Sequence, residues 1–268
     1  MSNVPTISII IIEYYSINEI EYCIKNLKSA LESINYEIII SSNSCYSEEK
    51  KDIIITTFPT IKWIFNEKNG GFAYGMNRGL EVARGEYLAI INSDVLIKKG
   101  LKEMISFIEG HQEVGAIAPQ IVDNKDIIQD SCHSYLTLWR YLKKHIKRIL
   151  TNKAIIYEKK INYSKIQTVD WVIGAFIMVK REVYEKTNGL DEQYFLYVED
   201  LDWCTRIRQV GYEIVYYPHS VVEYVGSRSA RKSSKYARIF IKGLFIYWKK
   251  FGFFSGYPKR KSFFYSKD

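Results

Sequence analysis

Residues 197–203 read Tyr-Val-Glu-Asp-Leu-Asp-Trp and place Glu199, Asp200 and Asp202 within four positions. Carboxylates crowded in this way repel one another, and a fold keeps them more readily for a general base or a cation than for packing. The competing reading is an acidic first turn of a helix, favoured by the helix dipole and compensated by Arg206. A second candidate is Asn92-Ser93-Asp94, directly after an apolar stretch. At the mouth of a parallel sheet, Asp94 can hold a hard divalent cation that bridges the two phosphates of a nucleotide diphosphate. Taken alone, the tripeptide also reads as an ordinary turn. The third candidate is the segment 69–79, Asn-Gly-Gly-Phe-Ala-Tyr-Gly-Met-Asn-Arg-Gly. Its glycines permit close backbone approach, and a helix start favours an anionic group. The segment matches neither G-x-G-x-x-G nor the Walker A pattern, and Gly75 and Gly79 can also serve helix packing.

These groups need elements to hold them. The continuous β-branched run at 7–12 suits a strand buried on both faces, and 17–33 places Ile20, Ile24, Leu27 and Leu31 at helical spacing. Strands are expected at 37–40, 61–65 and 87–91 and a helix at 72–83, an alternating βαβαβαβ order that implies a mostly parallel sheet covered by helices. Such sheets bind ligands beyond the carboxyl ends of their strands, so the polar turns at 41–44 and 92–94 point into a site. Farther on, the pattern predicts a helix at 101–108, a strand at 114–118, strand material over 169–179, a helix at 199–210 and a strand at 213–217.

The 268 residues are 47% apolar and 25% charged, a globular composition, and no apolar run approaches the roughly 20 residues of a membrane-spanning helix. Met1 to Thr6 carry no basic stretch, so a secretory signal is not expected and a cytoplasmic chain is. Cys23, Cys45, Cys132 and Cys204 form no C-x-x-C pair, and the four histidines show no metal-ligand spacing. The net charge of +8 is uneven: residues 228–268 hold 12 Lys or Arg and one Asp, leaving 26 basic and 29 acidic residues before them. Cations interleaved with aromatics suit an anionic membrane surface, the alternative being a helix packed on the domain by its apolar face. No recognition helix, zinc finger or RNA-binding signature supports nucleic acid. A second basic aromatic segment, 139–160, has eight Lys or Arg against one Glu and reads as an insertion.

The three candidate segments, with Trp171-Val172-Ile173-Gly174-Ala175-Phe176 and Lys180-Arg181 preceding the acidic one, resemble the family 2 glycosyltransferases of the GT-A fold over about residues 7–229. Within that family the bacterial rhamnosyltransferase-like branch is the nearest in pattern. The resemblance implies an α/β GT-A fold with a mostly parallel central sheet flanked by helices. It also implies a nucleotide-sugar half at 1–95 and an acceptor half at 96–227, and the composition beyond them marks a basic aromatic helical tail at 228–268. Asn43, Gly71, Phe72, Gly75, Asn77, Asn92 and Ser93 would hold the donor, and Asp94 would hold Mg2+ or Mn2+. Trp171, Gly174, Ala175 and Asp202 would lie on the acceptor side, and Asp200 would be the base with Glu199 as its fallback.

Three positions depart from the family pattern. Its T-Y-N is Glu13-Tyr14-Tyr15; the Asp of its V-D-N is Ser42; and its H-x-x-G-x-S is Glu223-Tyr224-Val225-Gly226-Ser227-Arg228, with His219 upstream as a surface residue. The expected activity is inverting transfer of a sugar, rhamnose as the first guess, from a nucleotide diphosphate sugar to a hydroxyl of a lipid-linked bacterial surface glycan or oligosaccharide. It would take place at the inner face of the cell membrane. The alternative is a catalytically silent relative acting as an assembly partner there. A sugar nucleotidyltransferase fits less well, because Glu13-Tyr14-Tyr15-Ser16 is not a glycine-rich basic loop.

Overall fold

The computed structural model describes residues 4–143, 161–224, 234–254 and 257. In chain order the first elements are β1 (Ile7–Glu13), α1 (Ile17–Ala30), β2 (Tyr36–Ser42), α2 (Glu48–Thr57), β3 (Lys62–Phe65), α3 (Phe72–Val82) and β4 (Tyr87–Asn92). There follow β5 (Leu96–Lys99), α4 (Leu101–Gly110), β6 (Val114–Val122), β7 (Cys132–His133), β8 (Gln167–Thr168), β9 (Trp171–Val172) and β10 (Phe176–Lys180). The last are α5 (Arg181–Thr187), α6 (Glu199–Gln209), β11 (Glu213–Glu223) and α7 (Ser234–Phe251).

Side chains alternate across a strand, and β1 uses both faces. Ile7, Ile9 and Ile11 pack with the apolar residues of α1 and α4, whereas Ile10 packs with those of α3 and α6. The main sheet runs β3-β2-β1-β4-β10-β6-β11-β5, with β8 also on β11. Strands β1, β2, β3, β4, β6 and β11 point one way, and β5, β8 and β10 the other. Register then positions chemistry: Glu13 lies beside Ser42, and Ile12 beside Asn92, so the polar ends of three parallel strands share one edge.

The material at 169–179 is broken into β9 and β10 by the Ile173-Gly174-Ala175 turn, and β9 leaves the main sheet to pair with β7. The short β5 and α5 carry too few apolar residues for periodicity to reveal them. The basic segment 139–160 is described only as far as Lys143, and Gly226, Ser227 and Arg228 lie outside the described residues.

Helix α7 is amphipathic and packs on the domain. Leu244, Tyr247, Trp248 and Phe251 form a cluster with Tyr194, Val198 and Leu201. Beneath it Asp202 is fully buried, with Oδ1 accepting from Arg206 Nε at 2.5 Å and Oδ2 from Lys250 Nζ at 2.7 Å and Tyr194 Oη at 3.2 Å. Its carboxylate is thus spent on joining α6 to α7, which corrects the acceptor-side role expected of it. A buried charge is tolerable only while its partners stay in place. Asp202→Ala, which leaves Arg206 without its carboxylate and Lys250 with Asp191 alone, is expected to cost about 3–5 kcal/mol of unfolding free energy, measured by urea denaturation followed by circular dichroism.

Candidate active site

The chain enters α6 through two consecutive non-glycine residues in the left-handed region, Tyr197 (φ 68°) and Val198 (φ 75°). This conformation is costly for a β-branched residue and persists only where surrounding structure enforces it. The enforcing structure is α7: Gly243 faces Val198 and the Tyr197 carbonyl, and the rings of Tyr236 and Phe240 meet the Tyr197 ring at 6.4 and 6.3 Å. The turn delivers Glu199 and Asp200 to the start of the helix.

Asp200 reaches across to the β9–β10 turn, its Oδ2 accepting the Gly174 N–H at 2.8 Å while Oδ1 accepts the Leu201 N–H at 2.8 Å. The adjacent Ala175 carbonyl accepts the Asn92 N–H at 3.0 Å. One short turn therefore binds the end of β4, which carries Asn92, Ser93 and Asp94, to the start of α6. The Phe72 ring lies against Gly174, bringing the start of α3 to the same place. Burial raises the Asp200 carboxyl above the ordinary range, although the Gly174 and Leu201 N–H groups and the nearby His133 act against that rise. Glu199 is buried where Asp200 is half-buried, and desolvation reinforced by the Asp200 charge pushes its carboxyl well upward. Its Oε2 has no hydrogen-bond partner among the described residues.

Asp94 is exposed at the mouth. Surrounding protein, with Glu19 adding repulsion, raises its carboxyl. No group of three His, Cys, Asp or Glu side chains suited to a metal occurs among the described residues. Magnesium-type ions bridging phosphates need only one or two protein carboxylates, and an exposed Asp94 without a cationic partner among the described residues fits that demand. Tyr224 stands nearby, its hydroxyl accepting from Asn92 Nδ2 at 3.1 Å, and burial with the Asp94 charge lifts its phenol to about 12.

Several expected donor residues brace the site from behind. Asn43 is buried, its Nδ2 donating to the Gly71 carbonyl at 2.9 Å and its Oδ1 accepting from Asn66 at 2.9 Å. Gly71 (φ 94°) lies so close to the Phe195 carbonyl that a Cβ would overlap it. Gly75 lets α3 approach Ile12 and Asn43. Asn77 donates to the Leu190 carbonyl and Glu192 and accepts from the Leu190 N–H, so it pins the 189–192 loop and its side chain is not presented to a donor. Trp171, half-buried, donates through Nε1 to the Ser134 carbonyl.

Sequence reasoning did not single out His133, which lies in no recognised spacing, and met Tyr224 only as an unassigned position of the segment standing where the family has H-x-x-G-x-S. It also could not place Glu13. That carboxylate is fully buried and accepts from Ser42 Oγ at 2.5 Å, Ser44 Oγ at 2.8 Å, Tyr46 Oη at 3.0 Å and the Ser16 N–H at 2.8 Å. The departures at 13 and 42 are therefore complementary: an acid absent from the end of β2 is present at the end of its neighbour β1.

A mostly parallel sheet of this topology, with acidic residues gathered beyond its parallel strand ends, is the GT-A fold. Residues 8–187 match the model of the glycosyl transferase family 2, and the chain belongs to that family. Residues 157–230 also match one described as an N-terminal domain of galactosyltransferase. Among curated relatives, the rhamnosyltransferase WbbL of Escherichia coli is 25% identical over 82% of this chain and 87% of its own. The low-salt glycan biosynthesis hexosyltransferase Agl10 of Haloferax volcanii is 27% identical over 78% of this chain and 63% of its own. Among solved structures, GalNAc-T7 with UDP, GalNAc and Mn2+ superposes with TM-score 0.67 at 15% identity, over 93% of this chain but 49% of that one. The Pyrobaculum calidifontis mannosyltransferase PcManGT with GDP-Man and Mn2+ gives 0.55 at 18% identity, over 85% of this chain and 59% of that one.

The orphaned Glu199 oxygen has a measurable consequence. A carboxyl raised in the fold binds its proton more tightly there than in the unfolded chain. Its contribution to stability is present below the ordinary glutamate range, near pH 4.3, and is lost as pH rises through the raised value. Glu199→Gln removes that loss, so its melting temperature is expected to match the parent in acid and exceed it at neutral pH. The expected gain is about 2–4 °C for each kcal/mol relieved, read by calorimetry across a pH series.

Proposed function

We propose that the protein is a metal-dependent inverting hexosyltransferase. It would move a sugar from a nucleotide diphosphate donor to a hydroxyl of a lipid-linked bacterial surface glycan, at the inner face of the cell membrane. The observation that carries this reading is the Gly174–Ala175 turn, which ties Asp200 and the Asn92–Asp94 strand end into one unit. Residues 1–95 would hold the donor and 96–227 the acceptor. Gly71, Phe72, Asn92 and Ser93 would form the donor side and Trp171, Gly174 and Ala175 the acceptor side, with Asn43 and Gly75 supporting the donor loop from within.

A Mg2+ or Mn2+ ion held by Asp94 would supply neutralising charge to the diphosphate. Asp200 accepts the proton of the acceptor hydroxyl as that oxygen forms its bond to the anomeric carbon. The bond from that carbon to the diphosphate breaks on the opposite face, and the configuration inverts. The Gly174 N–H holds the Asp200 carboxylate in place, and burial raises its carboxyl above the ordinary range, which makes it the better proton acceptor. The names of WbbL and Agl10 support hexosyl transfer, and WbbL supports rhamnose in particular. The burial of Ser42, its hydroxyl spent on Glu13, favours the silent-relative alternative, and the same measurements decide it.

Asp200→Asn keeps the shape but cannot take the proton, so kcat should fall by roughly 10²-fold or more with donor affinity little changed. In the parent, the rate should decline as pH falls through the raised Asp200 value, above the ordinary aspartate range near 3.9. Full activity in Asp200→Asn, with loss in Glu199→Gln, would move the base to Glu199.

Asp94→Ala should abolish transfer and the metal-dependent part of donor binding while leaving the melting curve unchanged. Release of nucleoside diphosphate and titration of nucleotide sugar with Mn2+ are the readouts. Near-normal turnover of this variant under chelator control would exclude Asp94 from the site.

A further inference from the structure

Two segments separated by about a hundred residues of sequence each mix cations with aromatics, and the fold joins them. The Leu138 N–H donates to the Phe253 carbonyl at 2.9 Å, and Trp248 Nε1 donates to the Leu136 carbonyl at 2.7 Å. The Tyr141 and Phe245 rings both meet the Trp248 ring edge-on, at 5.7 and 5.6 Å. What remains outside is unusually apolar: Trp139, Phe245 and Phe254 are 54%, 56% and 67% exposed. Exposed aromatic clusters of this kind mark interaction surfaces.

The charge around them has one sign. Lys235, Arg238, Lys242 and Lys249 recur along the exposed stripe of α7 that includes Phe245, and Arg140 and Lys143 flank Trp139. Neither α7 nor 137–143 contains an acidic residue. Lys143 lies over the Trp139 ring at 4.8 Å. Lys242 and Lys249, by contrast, meet no acidic partner among the described residues.

We propose that this composite face, made of 137–143, the outer stripe of α7 and Phe253 with Phe254, docks the protein on an anionic phospholipid surface. Its cations match the headgroup charge and its aromatics suit the headgroup level, where an apolar body and polar surroundings coexist. The inner side of the same helix contacts Tyr197 and Val198, the turn that presents Asp200. Docking would hold the Asp200 mouth about one helix diameter, ~10 Å, from the headgroups. The purpose of the face, bringing a lipid-linked hydroxyl to Asp200, rests on the transferase reading above, whereas its geometry does not.

The test is co-sedimentation of the full chain, without sugar nucleotide, with vesicles of equal parts phosphatidylglycerol and phosphatidylcholine and with vesicles of phosphatidylcholine alone, at low and high salt. The parent should bind the anionic vesicles at low salt and retain a weaker, salt-resistant fraction. Lys242→Gln with Lys249→Gln should weaken low-salt binding roughly 30-fold, from about fivefold per surface cation. Phe245→Ser with Phe254→Ser should remove the salt-resistant fraction. Both pairs are exposed, and unchanged circular dichroism certifies each fold independently. A parent indifferent to anionic vesicles makes the face a protein interface and overturns the proposal, as does parent-like binding by both folded variants. Donor turnover in detergent, without vesicles, reads the transferase proposal separately: turnover with no vesicle binding overturns docking alone, and vesicle binding with no turnover overturns transfer alone.

Discussion

Two adjacent carboxyl groups at one helix start, Glu199 buried and Asp200 half-buried, are the constraint around which the molecule is arranged. Asp200 is made tolerable by N–H groups from Gly174 and Leu201, but Glu199 has an oxygen that no donor among the described residues meets. A fold left to relax would turn Glu199 toward water, since desolvating an unpaired carboxylate is costly. Here relaxation is blocked from both sides. The β9–β10 turn closes over Asp200, and α7 presses on Tyr197 and Val198, whose left-handed backbone aims both acids inward.

That arrangement explains why removal of α7 would reach the site although no α7 side chain touches Asp200 in the bonds observed. The helix holds the strained turn through Gly243, Tyr236 and Phe240, and it is itself held by the Lys250 links to Asp191 and Asp202. Lys250 lies within the basic tail of the sequence, yet it acts inward. The high positive charge of that tail is therefore not one property: one lysine neutralises a buried aspartate, and the stripe on the opposite side stays in solvent.

The parts of the fold legible in the sequence were those with a strong local period. A β-branched run such as 7–12 leaves few options besides a central strand, and the spacing of Ile20, Ile24 and Leu27 gives the following helix. The acidic start of α6 and the polar end of β4 could be found because unlike residues interrupt apolar patterns there. The division of 169–179 into β9 and β10 could not, because Trp171 to Val179 is apolar almost throughout and the break depends on Gly174 meeting Asp200. The different work of Asn77 and Asp202 was equally hidden, since a residue type at a motif position does not say whether the carbonyl of Leu190 or the ammonium of Lys250 has already claimed it.

Glu13 shows the same limit most sharply. In sequence, an acid in place of Thr at 13 and a serine in place of Asp at 42 are two unrelated losses, separated by a helix and a strand. Parallel register makes them neighbours, and the four donors converging on Glu13 turn them into one exchange. The exchange does not restore the same surface. An acid at 42 would sit at the strand end where the turn begins, whereas Glu13 lies under that turn with both oxygens already engaged. Its hydrogen-bonding capacity goes to shaping Ser42, Ser44 and Tyr46. Other groups at this edge are left outward by the network. Among these are the exposed rings of Tyr14 and Tyr15, which project beside Tyr46 at the rim of the three parallel strand ends.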